Sequence, residues 1–374
     1  MENLQVRGNL ARRIYYDDTL NIAEILNKVH CSDALSFLKR VPDNSIDLII
    51  TSPPYYQQRD YGYGGIGNEA TEEEYISNLL SIFNECCRII KTTGAIVFNL
   101  GDKYLNGNLS LIPYRFAIKA IENKKVFLIN QITWAKTNPT PRQENKKLIQ
   151  STEPFFVFAK TKDYCFKLND YLSHLDRKNK KLTTNSSKIG QKYFDTINQS
   201  NLTTKEKENA RQELEKVIEE VQHGKIESFR MKIRGVHKEA YGGMDGGRNN
   251  QIRRNGFTII KITGNAMKKD LIESPVEITK GNKHTAVYPL YIIQELVKLL
   301  SNYGDIVLDP FCGSGTTCVA AKNLRRNYLG IEINPEYVAL SAKRINEADN
   351  CEETFYEWKK CFRKHICKSC SIKR

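Results

Sequence analysis

The 374-residue chain has no window approaching the roughly 18 to 20 uncharged apolar residues that a membrane span needs. A membrane-embedded protein is therefore not expected. Its first residues, MENLQVRGNLARR, hold no apolar core of a secretory signal, so the expected compartment is the cytosol. No internal repeat is visible, which sets aside solenoids and propellers. Ten cysteines are scattered through the chain, and without a secretory signal they read as reduced thiols rather than a disulfide framework. Negative charge is also in short supply, with 43 acidic residues against 57 Lys and Arg, a formal net charge of +14. The deficit is local. Residues 171–270 hold 21 basic and 12 acidic residues, residues 359–374 hold seven basic and no acidic ones, and the rest of the chain sums to −2. A positive field confined to one block and one tail favours a polyanionic partner, because each phosphate neutralised releases condensed counterions. The plainer alternative is a solvated basic surface.

What is present is the alternation of an α/β protein. Hydrophobic residues make up 40% and charged residues 27% of a chain long enough for two to three domains. The run SIDLIIT (45–51) predicts a strand that must stop at Ser52-Pro53-Pro54-Tyr55, since a proline pair continues neither a helix nor a central strand. Residues 72–91 carry apolar positions near helical spacing, with acids in the first turn and basic residues in the last. Gly94 is expected to close that helix before a strand at 95–100. Two more strands are expected at 127–134 and 154–159, within a parallel sheet. The middle changes character, with one amphipathic helix at 204–222 and a glycine-dense stretch after Tyr241. The last third resumes the alternation: helix 288–300, strand 305–308, a glycine loop, helix 316–324 and strand 328–333.

Two loops carry the chemistry. Asp309-Pro310-Phe311-Cys312-Gly313-Ser314-Gly315-Thr316-Thr317 follows a strand and opens a helix, which is where a doubly wound sheet binds a nucleotide-like ligand. About 20 residues on, a second strand ends at Glu332, whose carboxylate can accept from both hydroxyls of a ribose. The Gly-Lys-Ser/Thr ending of an NTPase loop is missing, as is a third glycine at pyrophosphate-binding spacing, so a nucleoside without phosphates is expected. A purely structural turn is the alternative. The second loop is Thr51-Ser52-Pro53-Pro54-Tyr55. Proline fixes φ and leaves its carbonyl free, so the Pro53 carbonyl and Ser52 can accept from an amino group, while Tyr55 offers a face to a planar base. A bare Pro-Pro turn is often only structural; its pairing with the glycine loop gives it weight.

With Ser-Pro-Pro-Tyr early and Asp-Pro-Phe-Cys-Gly-Ser-Gly late, the chain resembles the β class of amino-group DNA methyltransferases, the N4-cytosine and N6-adenine enzymes of restriction-modification systems. The resemblance covers about residues 28–162 and 284–345. Its supporting matches are Ser32 to Leu35, Asn99 to Asp102, Trp134 to Pro139 leading to Ser151 to Pro154, and His284 to Pro289. It implies a Rossmann-like S-adenosylmethionine-dependent sheet with circularly permuted motif order. It divides the chain into a catalytic half (1–165), an inserted target-recognition region (166–280), a cofactor-binding half (281–350) and a basic cysteine-bearing tail (351–374). Ser52, Pro53, Pro54 and Tyr55 are the implied catalytic residues. Asp309, Phe311, Gly313, Gly315 and Glu332 are implied at the cofactor, with Asp33 at its adenine, Asp102 near it and Thr285 closing its methionyl end. Asp33 could equally cap a helix, and Asp102 could be a turn residue.

The implied chemistry is direct displacement from a sulfonium methyl by an amine, in which the protein positions and polarises. The base must first leave the duplex. C5-cytosine methylation would need a nucleophilic cysteine, typically after proline, and the chain has no Pro-Cys pair; Cys312 reads as packing. Serine at the first position of the tetrapeptide favours cytosine N4 over adenine N6 within the family. Arg230, Lys232, Arg234, Lys238, Arg248, Arg253 and Arg254, beside Asn249, Asn250 and Gln251, are the expected DNA contacts, since Arg and the amides read bases and Lys marks phosphate. Cys361, His365, Cys367 and Cys370 crowd too closely for a two-knuckle zinc module, so no metal is expected and the tail is read as basic. The expected partners are double-stranded DNA and a restriction endonuclease acting on the same site, with monomer and homodimer both open. The rival from another class is a catalytically silent DNA-binding module of the same fold.

Overall fold

The computed structural model describes residues 19–58, 64–122, 125–139, 146–173, 189–223, 225–226, 228–237, 247–262, 268–276 and 288–348. Thr285, Lys238, residues 241–246 of the glycine-dense stretch and the tail from residue 349 lie outside them. The chain divides into two compact units, residues 1–172 with 269–374, and residues 173–268.

The first unit is built on an eight-stranded sheet: β1 (Lys28–Cys31), β2 (Ile46–Thr51), β3 (Ile90–Asn99), β6 (Phe127–Lys136), β7 (Thr152–Ala159), β10 (Leu271–Ser274), β11 (Ile306–Asp309) and β12 (Asn327–Glu332), with β4 (Tyr104–Leu105) and β5 (Asn108–Leu109) forming a separate small hairpin. Its order is β1-β12-β11-β2-β3-β7-β6-β10. Late strands thus lie beside early ones, and Val307 pairs with Leu48 where β11 meets β2. All neighbours run parallel except β7, which is antiparallel to both β3 and β6. This corrects the all-parallel expectation. Parallel neighbours need a crossover, usually a helix, and the 137–151 connection carries none among its described residues.

Side chains alternate between two cores, as a pleat requires. Ile49, Ile96, Phe98, Phe156 and Phe158 face one; Leu48, Ile50, Val97, Phe155 and Val157 face the other. Burial on both faces explains why these strands read as continuous apolar runs. The first core is closed by α2 (Ala34–Leu38), α3 (Glu72–Ile89) and α4 (Ile112–Glu122), after the short α1 (Ile22–Ile25). Phe83 of α3 meets Phe98, Phe116 and Phe158 edge-on at 4.9–5.5 Å. The helix ends at Ile89 and β3 begins at once. Gly94 therefore does not cap the helix but sits inside β3, where the register with β2 slips.

The second core is closed by α8 (Leu290–Leu300) and α9 (Thr316–Asn323), and α10 (Pro335–Glu347) follows β12. Among the described residues no helix is long and apolar enough to cross a membrane.

The second unit packs α5 (Gln191–Gln199) and α6 (Thr204–Gln222) on an antiparallel pair, β8 (Ser228–Ile233) and β9 (Phe257–Ile262), with α7 (Gly247–Asn255) between the strands in sequence. Its core comprises Ile197, Leu202, Ala210, Leu214, Met231, Ile233 and Phe257. A reciprocal capping box of Thr203 and Glu206 starts α6.

Candidate active site

From β11 the chain winds towards β12, and from β2 it winds the other way towards β3. Two adjacent parallel strands whose connections diverge leave a crevice at their carboxyl ends, where ligands bind in such sheets. A cleft of about 780 Å³ opens there, lined by the loops after β2, β3, β11 and β12. It brings together Ser52, Pro53, Pro54, Tyr55, Asp33, Asp102, Phe311, Gly313 and Glu332.

Asp309 and Gly315 sit behind the glycine loop rather than on its open face, which corrects their expected placement. The Asp309 carboxylate is buried and accepts four hydrogen bonds: from Thr51 Oγ1 (2.7 Å) and the Phe311 amide (3.0 Å) at one oxygen, and from Thr317 Oγ1 (2.7 Å) and the Tyr288 hydroxyl (3.1 Å) at the other. It ties the end of β2 to the start of the loop and so couples the two motifs. Burial raises its carboxyl above the usual range, against the pull of those bonds. Gly315 caps α9 with φ +84°, and a Cβ there would stand 2.8 Å from Ser341 Cβ on α10. Glycine is thus required here by helix packing. Cys312 is buried with its Sγ 3.5 Å from that of Cys318, and that contact together with burial pushes its thiol well above the ordinary range. This fits packing, not nucleophilic chemistry.

On the open face, the Glu332 carboxylate accepts from the amides of Gly313 (2.7 Å) and Asn334 (2.9 Å), one at each oxygen. Burial raises its carboxyl above the ordinary range. Asp33 caps α2, its Oδ1 accepting from the Ser36 amide (2.8 Å), and the residue also lines the cleft. Asp102 likewise lines the cleft while its Oδ1 accepts from the amides of Lys103 and Ile112. Burial lifts its carboxyl too.

The tetrapeptide is held by a side-chain network. Ser52 Oγ donates towards the Tyr55 hydroxyl (3.2 Å) and Asn99 Oδ1 (3.3 Å). The Tyr55 proton lies between Asn99 Oδ1 (2.8 Å) and Glu153 Oε2 (3.1 Å), and the other Glu153 oxygen is ion-paired to Lys136. Asn99 donates to the Pro154 carbonyl (3.1 Å), and the Tyr75 hydroxyl pins the Pro54 carbonyl (2.8 Å). Burial and the Glu153 charge hold the Tyr55 hydroxyl well above its usual pKa, so it stays protonated. Gly101 lies against the Tyr55 ring, and any Cβ at that position would overlap it. With its proton directed into this network, Ser52 is left as an acceptor for a ligand amine. Asn99, Lys136 and Glu153 sit in segments flagged from the sequence, but their contacts with the tetrapeptide were not foreseen.

The two sides of the cleft differ in charge. The glycine-loop side offers carboxylates at Asp33 and Glu332 and no Lys or Arg among its described lining residues; the tetrapeptide side carries Lys103, Lys136 and Lys147. Carboxylate acceptors, the Phe311 ring and the lack of a phosphate-binding cation suit an adenosine bearing a positive sulfonium. The residues present therefore fit S-adenosylmethionine, and the volume lies within the range of small-molecule sites, roughly 300–1,000 Å³. No group of acids, cysteines and histidines able to hold a metal occurs among the described residues.

In the second unit, Arg230 and Lys232 alternate with the buried Met231 and Ile233 on β8, while Arg248, Arg253 and Arg254 are exposed on α7. Arg234 is engaged within the unit, paired with Glu206 at 2.8 Å and donating to the Arg253 carbonyl. Of the flanking amides, Asn249 is buried and Gln251 accepts from Thr258 Oγ1 (2.6 Å), whereas Asn250 is exposed.

The family model described as DNA methylase, for N6 and N4 methyltransferases, matches residues 46–343. The Type II methyltransferase M.Cfr9I of Citrobacter freundii is 26% identical over 347 residues, covering 85% of this chain and 87% of that protein. The Type II methyltransferase M.BglII of Bacillus subtilis is 28% identical over 317 residues, covering 84% and 68%. Among solved structures, the cytosine-N4-specific PvuII DNA methyltransferase aligns with 90% of this chain and 91% of its own, with a TM-score of 0.54 at 18% identity. That likeness establishes a common fold.

Proposed function

The chain belongs to the DNA methylase family of N6 and N4 amino methyltransferases, whose methyl donor is S-adenosylmethionine, and from that premise we propose that it methylates the N4 amine of a cytosine flipped out of duplex DNA. Its product would protect a site from a restriction endonuclease. The observation that carries this reading is the Thr51–Asp309 hydrogen bond (2.7 Å), which locks the tetrapeptide loop and the glycine loop into one cleft.

The donor supplies an electrophilic methyl on a positive sulfur. Glu332 would accept from the ribose hydroxyls, Asp33 from the adenine amine, and Phe311 would pack on the donor. Across the cleft, Ser52 Oγ and the Pro53 carbonyl would accept the two N–H groups of the target amine. That pull turns the nitrogen lone pair out of ring conjugation and towards the methyl, a preorganised electrostatic effect. Tyr55, its ring seated on Gly101 and its hydroxyl fixed by Asn99 and Glu153, would hold the base plane.

The second unit would read the target sequence, within the proposed recognition region 166–280, through Arg230, Lys232, Arg248, Arg253 and Arg254. Thr285 and Lys238 retain their proposed roles from sequence alone, and the basic tail would sit near phosphate.

The test is to incubate the protein with S-adenosylmethionine and mixed-sequence DNA, digest to nucleosides and identify the product by mass spectrometry. N4-methylcytosine is expected. N6-methyladenine would overturn the choice of amine and keep the transfer; no methylated nucleoside, with donor binding intact, would overturn the DNA reading.

A further inference from the structure

We propose that Leu148 is the wedge that enters the duplex and fills the space vacated by the flipped base. The inference rests on the DNA-methylation reading above and assigns a side chain to a step that the cleft alone does not perform.

Leu148 is 93% exposed, the highest value among the exposed large apolar side chains of the described residues, of which the next is Tyr303 at 68%. A single exposed leucine is unremarkable by itself. Its position is what matters. Among the described residues of the first unit, most exposed apolar side chains, such as Tyr114, Ile118 and Phe127, lie away from the cleft, and only Leu148 and the adjacent Ile149 line it. Both belong to the segment 146–150, which leads directly into β7.

That segment is anchored at both sides. The Lys136 amide donates to the Ser151 carbonyl (2.7 Å), and Lys147 Nζ stands 4.2 Å over the ring of Tyr104 on the small β4–β5 hairpin, which also borders the cleft. Glu153, which touches Tyr55, is five residues further along, so the two Cα atoms are at most a fully extended reach of about 17 Å apart. Leu148 thus stands at the rim of the pocket proposed to receive the base.

Extruding a base leaves its neighbours unstacked and its partner unpaired. Proteins that open or kink a duplex offset that cost by inserting an apolar side chain, often leucine, between base steps. A leucine at this rim has the shape and polarity to do so. The exposed Lys146 beside it carries the charge to hold a flanking phosphate.

The test uses the full-length protein. The modified site is first mapped on plasmid DNA methylated by the wild type. Single-turnover methylation is then measured on two synthetic duplexes carrying that site, one fully paired and one with an abasic position opposite the target base. For Leu148→Ala the expected rate is at least tenfold lower than wild type on the paired duplex and within twofold on the abasic one, with unchanged S-adenosylmethionine affinity by calorimetry. Leu148→Met should recover most of the paired-duplex rate. Equal loss on both duplexes, no loss on either, or weakened donor binding would each overturn the wedge. A wild type that methylates no DNA would instead sink the function on which it rests.

Discussion

The two loops that meet between β2 and β11 are fixed by opposite means. The glycine loop takes its shape from the backbone: a left-handed Gly315 packed on Ser341, an inward Asp309, and amides that hold Glu332. The tetrapeptide takes its shape from side chains drawn from four strands or their ends: Ser52 and Tyr55 after β2, Asn99 at the end of β3, Lys136 at the end of β6 and Glu153 in β7. A site shaped by backbone fails when a Cβ is added, and a site shaped by a network fails when a polar group is removed. Donor binding and methyl transfer should therefore separate under mutation.

The largest separation is expected at Tyr55. Tyr55→Ala removes the ring, its hydroxyl and the filling of the space over Gly101, and kcat should fall by about 10² to 10³, the usual loss for one preorganised polar contact. Donor affinity, measured by calorimetry, should stay within a few-fold. Tyr55→Phe sharpens the comparison by keeping the ring and deleting only the hydroxyl's bonds to Ser52, Asn99 and Glu153; a loss as deep as that of alanine would show that the ring's stacking face contributes little.

Gly315→Ala tests the opposite loop. The new methyl meets Ser341 in a backbone conformation that L residues rarely adopt. Overpacking of this kind costs roughly 1–3 kcal/mol, which should appear as a lower Tm together with weaker donor binding. An unchanged Tm would mean that α10 yields easily, and that the loop is less rigid than its packing indicates.

Glu332 gives a smaller, pH-dependent effect. In the proposed role the form that accepts from the ribose hydroxyls is the carboxylate, and burial raises its pKa. Donor affinity should then be full above that raised pKa and fall as pH drops through it, at a higher pH than an ordinary glutamate would show. Glu332→Gln should weaken binding about tenfold and flatten the acid limb of a calorimetric pH series. A limb that persists in the variant would place the titrating group elsewhere.

These loops differ also in how far sequence revealed them. Strands buried on both faces, such as 46–51 and 154–159, are apolar runs that any reading of hydropathy finds. Proline and glycine mark the two loops because turns and tight packing admit few other residues there. By contrast β1 has four residues without a buried one, and in β8 and β10 buried positions alternate with open ones, so no apolar run announces them. The inward turn of Asp309 depends on Thr51, 258 residues away, and the Tyr55 network on Glu153, 98 residues away. No local spacing encodes such pairs. The same holds for Arg234, whose partner Glu206 lies on α6, 28 positions earlier.

That arginine supplies the control for the smallest effect. Arg253 and Arg254 are exposed in the last turn of α7, where positive charge also complements the helix dipole. If each meets a phosphate, replacing both by alanine should make the salt dependence of DNA binding shallower by up to twice about 0.9 in log–log slope. The methylation rate at saturating DNA should change little, because the cleft is untouched. Arg234→Ala should behave differently: it breaks a pair with Glu206 and should lower the stability of the 173–268 unit more than it alters the slope. Measured side by side in a salt titration and a melting curve, the two variants distinguish a cation that meets DNA from one that holds the fold. A slope unchanged in the double variant would return Arg253 and Arg254 to the solvated surface, and would move the DNA contact of this unit to Arg230, Lys232 and Arg248.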